Sequence, residues 1–291
     1  MGRASLSRVA APIFAPPLEL LAETDAHEGP VYAGDQHALY FTTVPGPGPR
    51  TGIKRLALAD RSISVVREDA NMANGMALDR EGRLVVCEQG TLTEPARITR
   101  IDRGTGEVET LVDSWTGLPL NSPNDVVVRS DGTVWFTDPS YGYLQGFRPR
   151  PALGDHVYRY DPAADSLTLV AAGFDKPNGL AFSADESVLY IGDNGAPKEL
   201  LAFDVEDARL SGRRVVATMS GDHPDGIKVD RSGRIYVSAP RGVEVFTPSG
   251  EAVGAIDLPG AVIFAFGPGE DVLYITADTA IWAADLKGAW A

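Results

Sequence analysis

The stretch NDVVVRSDGTVWFT, Asn124 to Thr137, reads as two short strands joined by a tight turn. Val126 to Val128 are β-branched, Asp131-Gly132 is a turn pair, and Val134 to Thr137 is again β-branched and aromatic. The pattern recurs as MALDREGRLVVC at 76–87, LAFSADESVLYI at 180–191 and IKVDRSGRIYVS at 227–238. Its second strand appears six times: LYFT from Leu39, LVVC from Leu84, VWFT from Val134, LYIG from Leu189, IYVS from Ile235 and LYIT from Leu273. The intervals are 45, 50, 55, 46 and 38 residues. After most copies comes a further hairpin, as in KRLALADRSISVV and HVYRYDPAADSLTLV, so each unit carries four strands, A to D.

Four-stranded units at this period predict an all-β, six-bladed β-propeller rather than a β-sandwich. The sixth unit, VIFAFG, VLYITA and AIWAADL, runs out of chain before a fourth strand. LELLAE, 18–23, has no other partner, and is expected to join the last blade and close the ring. Residues 1–17, broken by Pro12, Pro16 and Pro17, read as a flexible lead-in, and 18–291 as one domain.

The chain of 291 residues has a net charge of −14, which argues against nucleic acid or an anionic membrane as partner. Cys87 is the single cysteine, so no intramolecular disulfide and no multi-thiolate zinc site can form. No run of 18 apolar residues occurs. The expectation is a cytoplasmic protein, export remaining the alternative, acting as a monomer or small homo-oligomer on a small molecule.

Aligning the six units on the LYFT motif exposes a column ten or eleven residues upstream: Glu28, Asn74, Asn124, Asn178, Asp225 and Val262. Strand A is the innermost strand of a blade, so these residues belong at one mouth of the central channel. Five of six aim an oxygen-bearing side chain at one axial point. Two carboxylates and three amides, without His or Cys, suit a hard cation: Ca²⁺ first, with Mg²⁺ or Mn²⁺ as substitutes; Zn²⁺ fits such a set poorly and is expected only as a replacement in vitro.

The loops between strands B and C lie on the same face. Two are long: TTVPGPGPRTG after Phe41, and Thr137 to His156 with Tyr141, Tyr143, Phe147, Arg148 and Arg150. The second is expected to act as a lid. Glu88, Gln89, Asp193 and Asn194 fall on such loops and are candidates to touch substrate, as are Asn74, Tyr141 and His223. Asp138 reads either as a partner that supports the ring residues from behind or, the preferred reading, as an Asx turn before Pro139, and Cys87 as a buried structural thiol. His27 and His223 sit beside the ring residues. No GxSxG or phosphate-loop pattern occurs.

HEGP at 27–30, NGMALDREGRLVVCEQG at 74–90, NSPNDVVVRSDGTVWFTDPSYG at 121–142, KPNGLAFSADESVLYIGDNG at 176–195 and HPDGIKVDRSGRIYVS at 223–238 resemble the gluconolactonase, regucalcin (senescence marker protein) and luciferin-regenerating-enzyme family. NSPND through TDPSYG looks most like the bacterial gluconolactonases and the lactonohydrolases. Gln89 stands where related sequences often carry histidine. The resemblance, from about residue 18 onward, implies a six-bladed propeller with one catalytic divalent cation, usually Ca²⁺. It implies Glu28, Asn124, Asn178 and Asp225 as the metal ligands, with Asn74 supporting them or touching substrate.

The expected activity is hydrolysis of a sugar-type or related γ- or δ-lactone. The cation would be the Lewis acid, Asn124 would help orient substrate, and Asp225 would be the general base, or alternatively a nucleophile. A phosphotriesterase on the same metal and a non-catalytic Ca²⁺-binding propeller are the competing readings.

Overall fold

Six four-stranded antiparallel sheets stand in a ring, the architecture of a six-bladed β-propeller. The computed structural model describes residues 15–196, 198–219 and 223–290; the expected lead-in lies outside them up to residue 14. Blade 1 is Val31–Ala33, Ala38–Thr42, Ile53–Ala57 and Ile63–Arg67. Blade 2 is Ala73–Leu78, Leu84–Glu88, Arg97–Ile101 and Val108–Val112. Blade 3 is Val126–Val128, Val134–Asp138, His156–Asp161 and Ser166–Ala171. Blade 4 is Pro177–Phe182, Val188–Asp193, Glu199–Glu206 and Arg209–Thr218. Blade 5 is Ile227–Val229, Ile235–Ala239, Gly242–Phe246 and Ala252–Asp257. Blade 6 has Ile263–Phe266, Val272–Thr276 and Ala280–Asp285, and Leu18–Glu23 pairs antiparallel with Ala280–Asp285 as its outer strand.

In blades 2 to 5 the A–B turns close because an aspartate caps each from within. Asp79 Oδ1 accepts the N–H groups of Glu81 and Arg83, Asp131 Oδ1 that of Thr133, Asp185 Oδ1 that of Ser187, and Asp230 Oδ1 those of Ser232 and Arg234. Gly132 and Gly233 turn at φ 87°, a backbone state that costs glycine little.

Strand B is buried on both faces, which is why it reads as a continuous apolar run. Leu39 and Phe41 pack against Ala265, Tyr274 and Ile281 of blade 6, while Tyr40 joins Met76, Leu84 and Val86 of blade 2. Val134 and Phe136 face Val85 and Cys87, and Trp135 faces Leu180, Leu189 and Ile191. The core is therefore a set of interblade layers, and burial of apolar area between neighbours holds the ring together. Among the described residues no helix is long and apolar enough to cross a membrane.

A small hairpin, Ser114–Trp115 with Leu118–Pro119, was not legible in the repeat. Neither was the helix Tyr141–Leu144 inside the long blade 3 loop.

Candidate functional site

The first residues of the six A strands follow one another around the channel. Gly29 abuts the Asn74 backbone, Gly75 abuts Asn124 and Asp125, and Gly179 abuts Asp225 so closely that a Cβ there would meet the Asp225 carbonyl at 2.1 Å. A glycine after the ring residue is therefore a packing requirement between blades. Each junction is also bonded. Thr42 Oγ1 donates to the Asn74 carbonyl at 3.2 Å, Thr137 Oγ1 to the Asn178 carbonyl at 2.8 Å, and Thr276 Oγ1 to the His27 carbonyl at 2.7 Å. Ser238 Oγ donates to the Val262 carbonyl.

These hydroxyls occupy the last position of the LYFT motif, where blades 2 and 4 have Cys87 and Gly192. In those two blades a glycine amide makes the bond instead: Gly75 N–H to Asn124 O at 2.8 Å and Gly179 N–H to Asp225 O at 3.1 Å. All six junctions are closed this way at the level of the ring residues. The signal was present as a Thr/Cys/Thr/Gly/Ser/Thr column. Cys87 itself is fully buried, as expected.

Glu28, Asn124 and Asn178 are buried, and Asn74 and Asp225 are partly exposed. Burial pushes the Glu28 carboxyl well above the ordinary range, and the charges of Asp225 and Asp125 push it further. Asp225 is pushed up to about 7 by poor solvation and by Asp125, against a hydrogen bond from Asn178. Two like charges thus face one another where water is scarce. The Asn74 Oδ1 atom is buried without any hydrogen-bond partner. Among the described residues, no three His, Cys, Asp or Glu side chains converge to hold an ion without help from amides. Two under-compensated carboxylates, amide oxygens and one orphaned acceptor form a donor set suited to a hard divalent cation.

Tyr141, on the short helix, joins this group. Asn178 Nδ2 lies 3.4 Å from its hydroxyl, and burial followed by the Asp225 charge raises the phenol, so it stays protonated. The loop that carries it is pinned as a fixed wall. Ser122 Oγ donates to Pro139 O at 2.6 Å and accepts from Gly142 N–H at 2.9 Å. Arg148, expected over the mouth, is buried and donates to the carbonyls of Leu120, Asn121, Thr91 and Glu94. Phe147 is buried beside it, and Tyr143 faces solvent at 46% exposure.

The structure corrects three readings. Glu88 is 0% exposed, and its two oxygens accept from Arg67 at 2.5 Å, Thr99 at 2.9 Å, Asn71 at 3.1 Å and Arg97 at 2.7 Å. It has no capacity left for substrate. Asp193 is likewise spent on the N–H groups of Asp175, Lys176 and Gly195. Asp138 makes no turn with Pro139: its carboxylate holds the N–H groups of Asn121 and Ser122, at 2.9 and 2.8 Å, although burial pushes it up to about 7. These three follow the LYFT motif directly in blades 2, 3 and 4, and each holds the segment that leads into its blade's ring residue. Gln89 is buried, with its N–H on the Met72 carbonyl. On the rim, His27 Nδ1 lies 2.6 Å from Asp278 Oδ1, and His223 Nδ1 lies 3.1 Å from the Asn194 carbonyl.

The family model described as the SMP-30/gluconolactonase/LRE-like region matches residues 26–279. The chain belongs to this family. Within the family, a gluconolactonase of Zymomonas mobilis is 29% identical over 90% of this chain and 79% of its own length. A lactonohydrolase of Aspergillus oryzae is 27% identical, covering 83% of this chain; the alignment spans 63% of that relative. The solved structure of a gluconolactonase from Xanthomonas campestris superposes with a TM-score of 0.84 at 35% identity, over 92% of this chain and 89% of that one.

Proposed function

We propose that this member of the SMP-30/gluconolactonase family is a metal-dependent lactonase, opening a small sugar-type γ- or δ-lactone to its hydroxy acid. The observation that carries the reading is the pair Glu28 and Asp225, two acids in a poorly solvated ring of amides with too few protein donors. The names of the relatives supply the substrate class.

Glu28, Asn124, Asn178 and Asp225 would hold the divalent cation, with Ca²⁺ best matched to an all-oxygen set. When bound, such a cation supplies a Lewis acid for the lactone carbonyl. Asp225 takes the proton from the attacking water and returns it to the alkoxide released as the acyl C–O bond breaks. Asn124 and Asn178 orient the substrate, and Asn74 offers its free carbonyl oxygen to a substrate hydroxyl. The Tyr141 hydroxyl, held protonated, donates a hydrogen bond to a substrate oxygen. The loop wall fixed by Arg148 limits water on that side.

The test is lactone hydrolysis followed by acid release, on aldonolactones of different ring size, pantolactone and a homoserine lactone. Chelator should remove the activity, and a hard divalent cation should restore it. Stoichiometric cation binding without turnover of any lactone would overturn the substrate class. Full activity in chelator would overturn the metal.

A further inference from the structure

Two positions break the repeat in the channel, and they meet. The residue after the ring residue is glycine in four blades (Gly29, Gly75, Gly179, Gly226) and Ile263 in the sixth; only blade 3 puts a charge there, Asp125. The residue three after the ring residue is Val31, Ala77, Val127, Ala181 or Ala265; only blade 5 puts a charge there, Lys228. Lys228 Nζ lies 4.0 Å from Asp125 Oδ2, although more than a hundred residues and a whole blade separate them in sequence.

Asp125 is 2% exposed, and its carboxylate also accepts from the N–H groups of Val126 at 2.9 Å and Leu180 at 3.3 Å. Its charge reaches both Glu28 and Asp225, and that of Lys228 reaches Glu28. A Gly75 side chain would strike Asp125 at 2.7 Å, so the acid is packed into its place.

We infer that Lys228 and Asp125 act as a charge-setting pair beneath the ring: Asp125 adds a third negative charge to those of Glu28 and Asp225, and Lys228 returns the total to two. The cradle is thereby matched to a dication. Asp278, the other acid in range, is solvent-exposed and paired with His27, so it is screened. Both residues are positioning residues, and the assignment rests on the metal reading above.

The test uses the full chain stripped of metal, with every variant at the same pH of about 8. Ca²⁺ affinity is measured by calorimetry and Tb³⁺ affinity by luminescence. Lys228→Met, with a fixed negative excess, should bind Ca²⁺ more tightly and raise the Tb³⁺ to Ca²⁺ affinity ratio about tenfold. Asp125→Asn should weaken Ca²⁺ about tenfold, and the double variant should return to within about threefold of wild type. A purely structural pair would lower the melting temperature of both single variants and leave affinities and their ratio within about twofold of wild type, which overturns the assignment. Weaker Ca²⁺ binding by Lys228→Met also overturns it. A wild-type chain that binds neither ion overturns the metal reading and this pair with it.

Discussion

Two sets of acids recur at fixed positions of the same repeat, and they have opposite surroundings. Glu88, Asp138 and Asp193 end their B strands and are met by arginines, an amide, a hydroxyl or backbone N–H groups. Glu28 and Asp225 lie just before their A strands; Glu28 faces the charges of Asp225 and Asp125, and Asp225 faces that of Asp125 with one hydrogen bond from Asn178. The residue types are the same, and hydrogen-bond capacity separates them. A carboxylate whose lone pairs are filled by the protein is structural. One whose lone pairs are open, beside a like charge, is held for something the protein does not supply.

The hardest test of this contrast is to remove one acid from each set. Glu28→Gln and Asp225→Asn should lower turnover at least about a thousandfold while raising the melting temperature of chelator-treated protein, because a buried repulsion is relieved. Kinetics and thermal unfolding together check this. A lower melting temperature with turnover intact would put these two with the structural acids.

Glu88→Gln should do the reverse. Arg67 and Arg97 would lose their shared anion, costing about 3 kcal/mol of stability by denaturant titration, with kcat of the folded protein near wild type. Tyr141→Phe should lower kcat/KM about tenfold without moving the melting temperature, since only one donor is lost.

The smallest effect is on pH. Glu28, Asp225 and Asp138 have folded-state affinities for protons above those of the unfolded chain. Their stabilising contribution is present in full below the unfolded range and is lost as pH rises through the folded one. Metal-free protein should therefore lose about 3 °C or more of melting temperature between about pH 5 and about pH 8, and added divalent cation should restore it at the upper end. A melting temperature that rises over that interval would contradict the unpaired state of the ring acids.

The candidate ring was legible in the sequence. The LYFT register selected Glu28, Asn74, Asn124, Asn178 and Asp225, because a repeat puts equal offsets at equal heights. The same register held the Glu88, Asp138 and Asp193 column, yet Glu88 and Asp193 read as substrate contacts. Their partners Asn71, Asp175 and Lys176 keep a fixed offset of two or three residues before the ring residue but share no residue type, and Arg67 comes from the outer strand of the preceding blade. Arg148 looked like a cation poised over the mouth for the same reason: the carbonyls that consume it come from residues 91, 94, 120 and 121.

The sequence by itself determined the number of blades, the burial of every B strand on both faces and the height at which the polar ring lies. Those follow from local alternation and period, which need only near neighbours along the chain. The tertiary structure alone decided which buried acids are satisfied, that Tyr141 reaches Asn178, and that Asp125 finds Lys228 across a blade. Hydrogen-bond saturation and charge pairing are properties of atoms within a few ångströms in space, and in a propeller those atoms come from different blades.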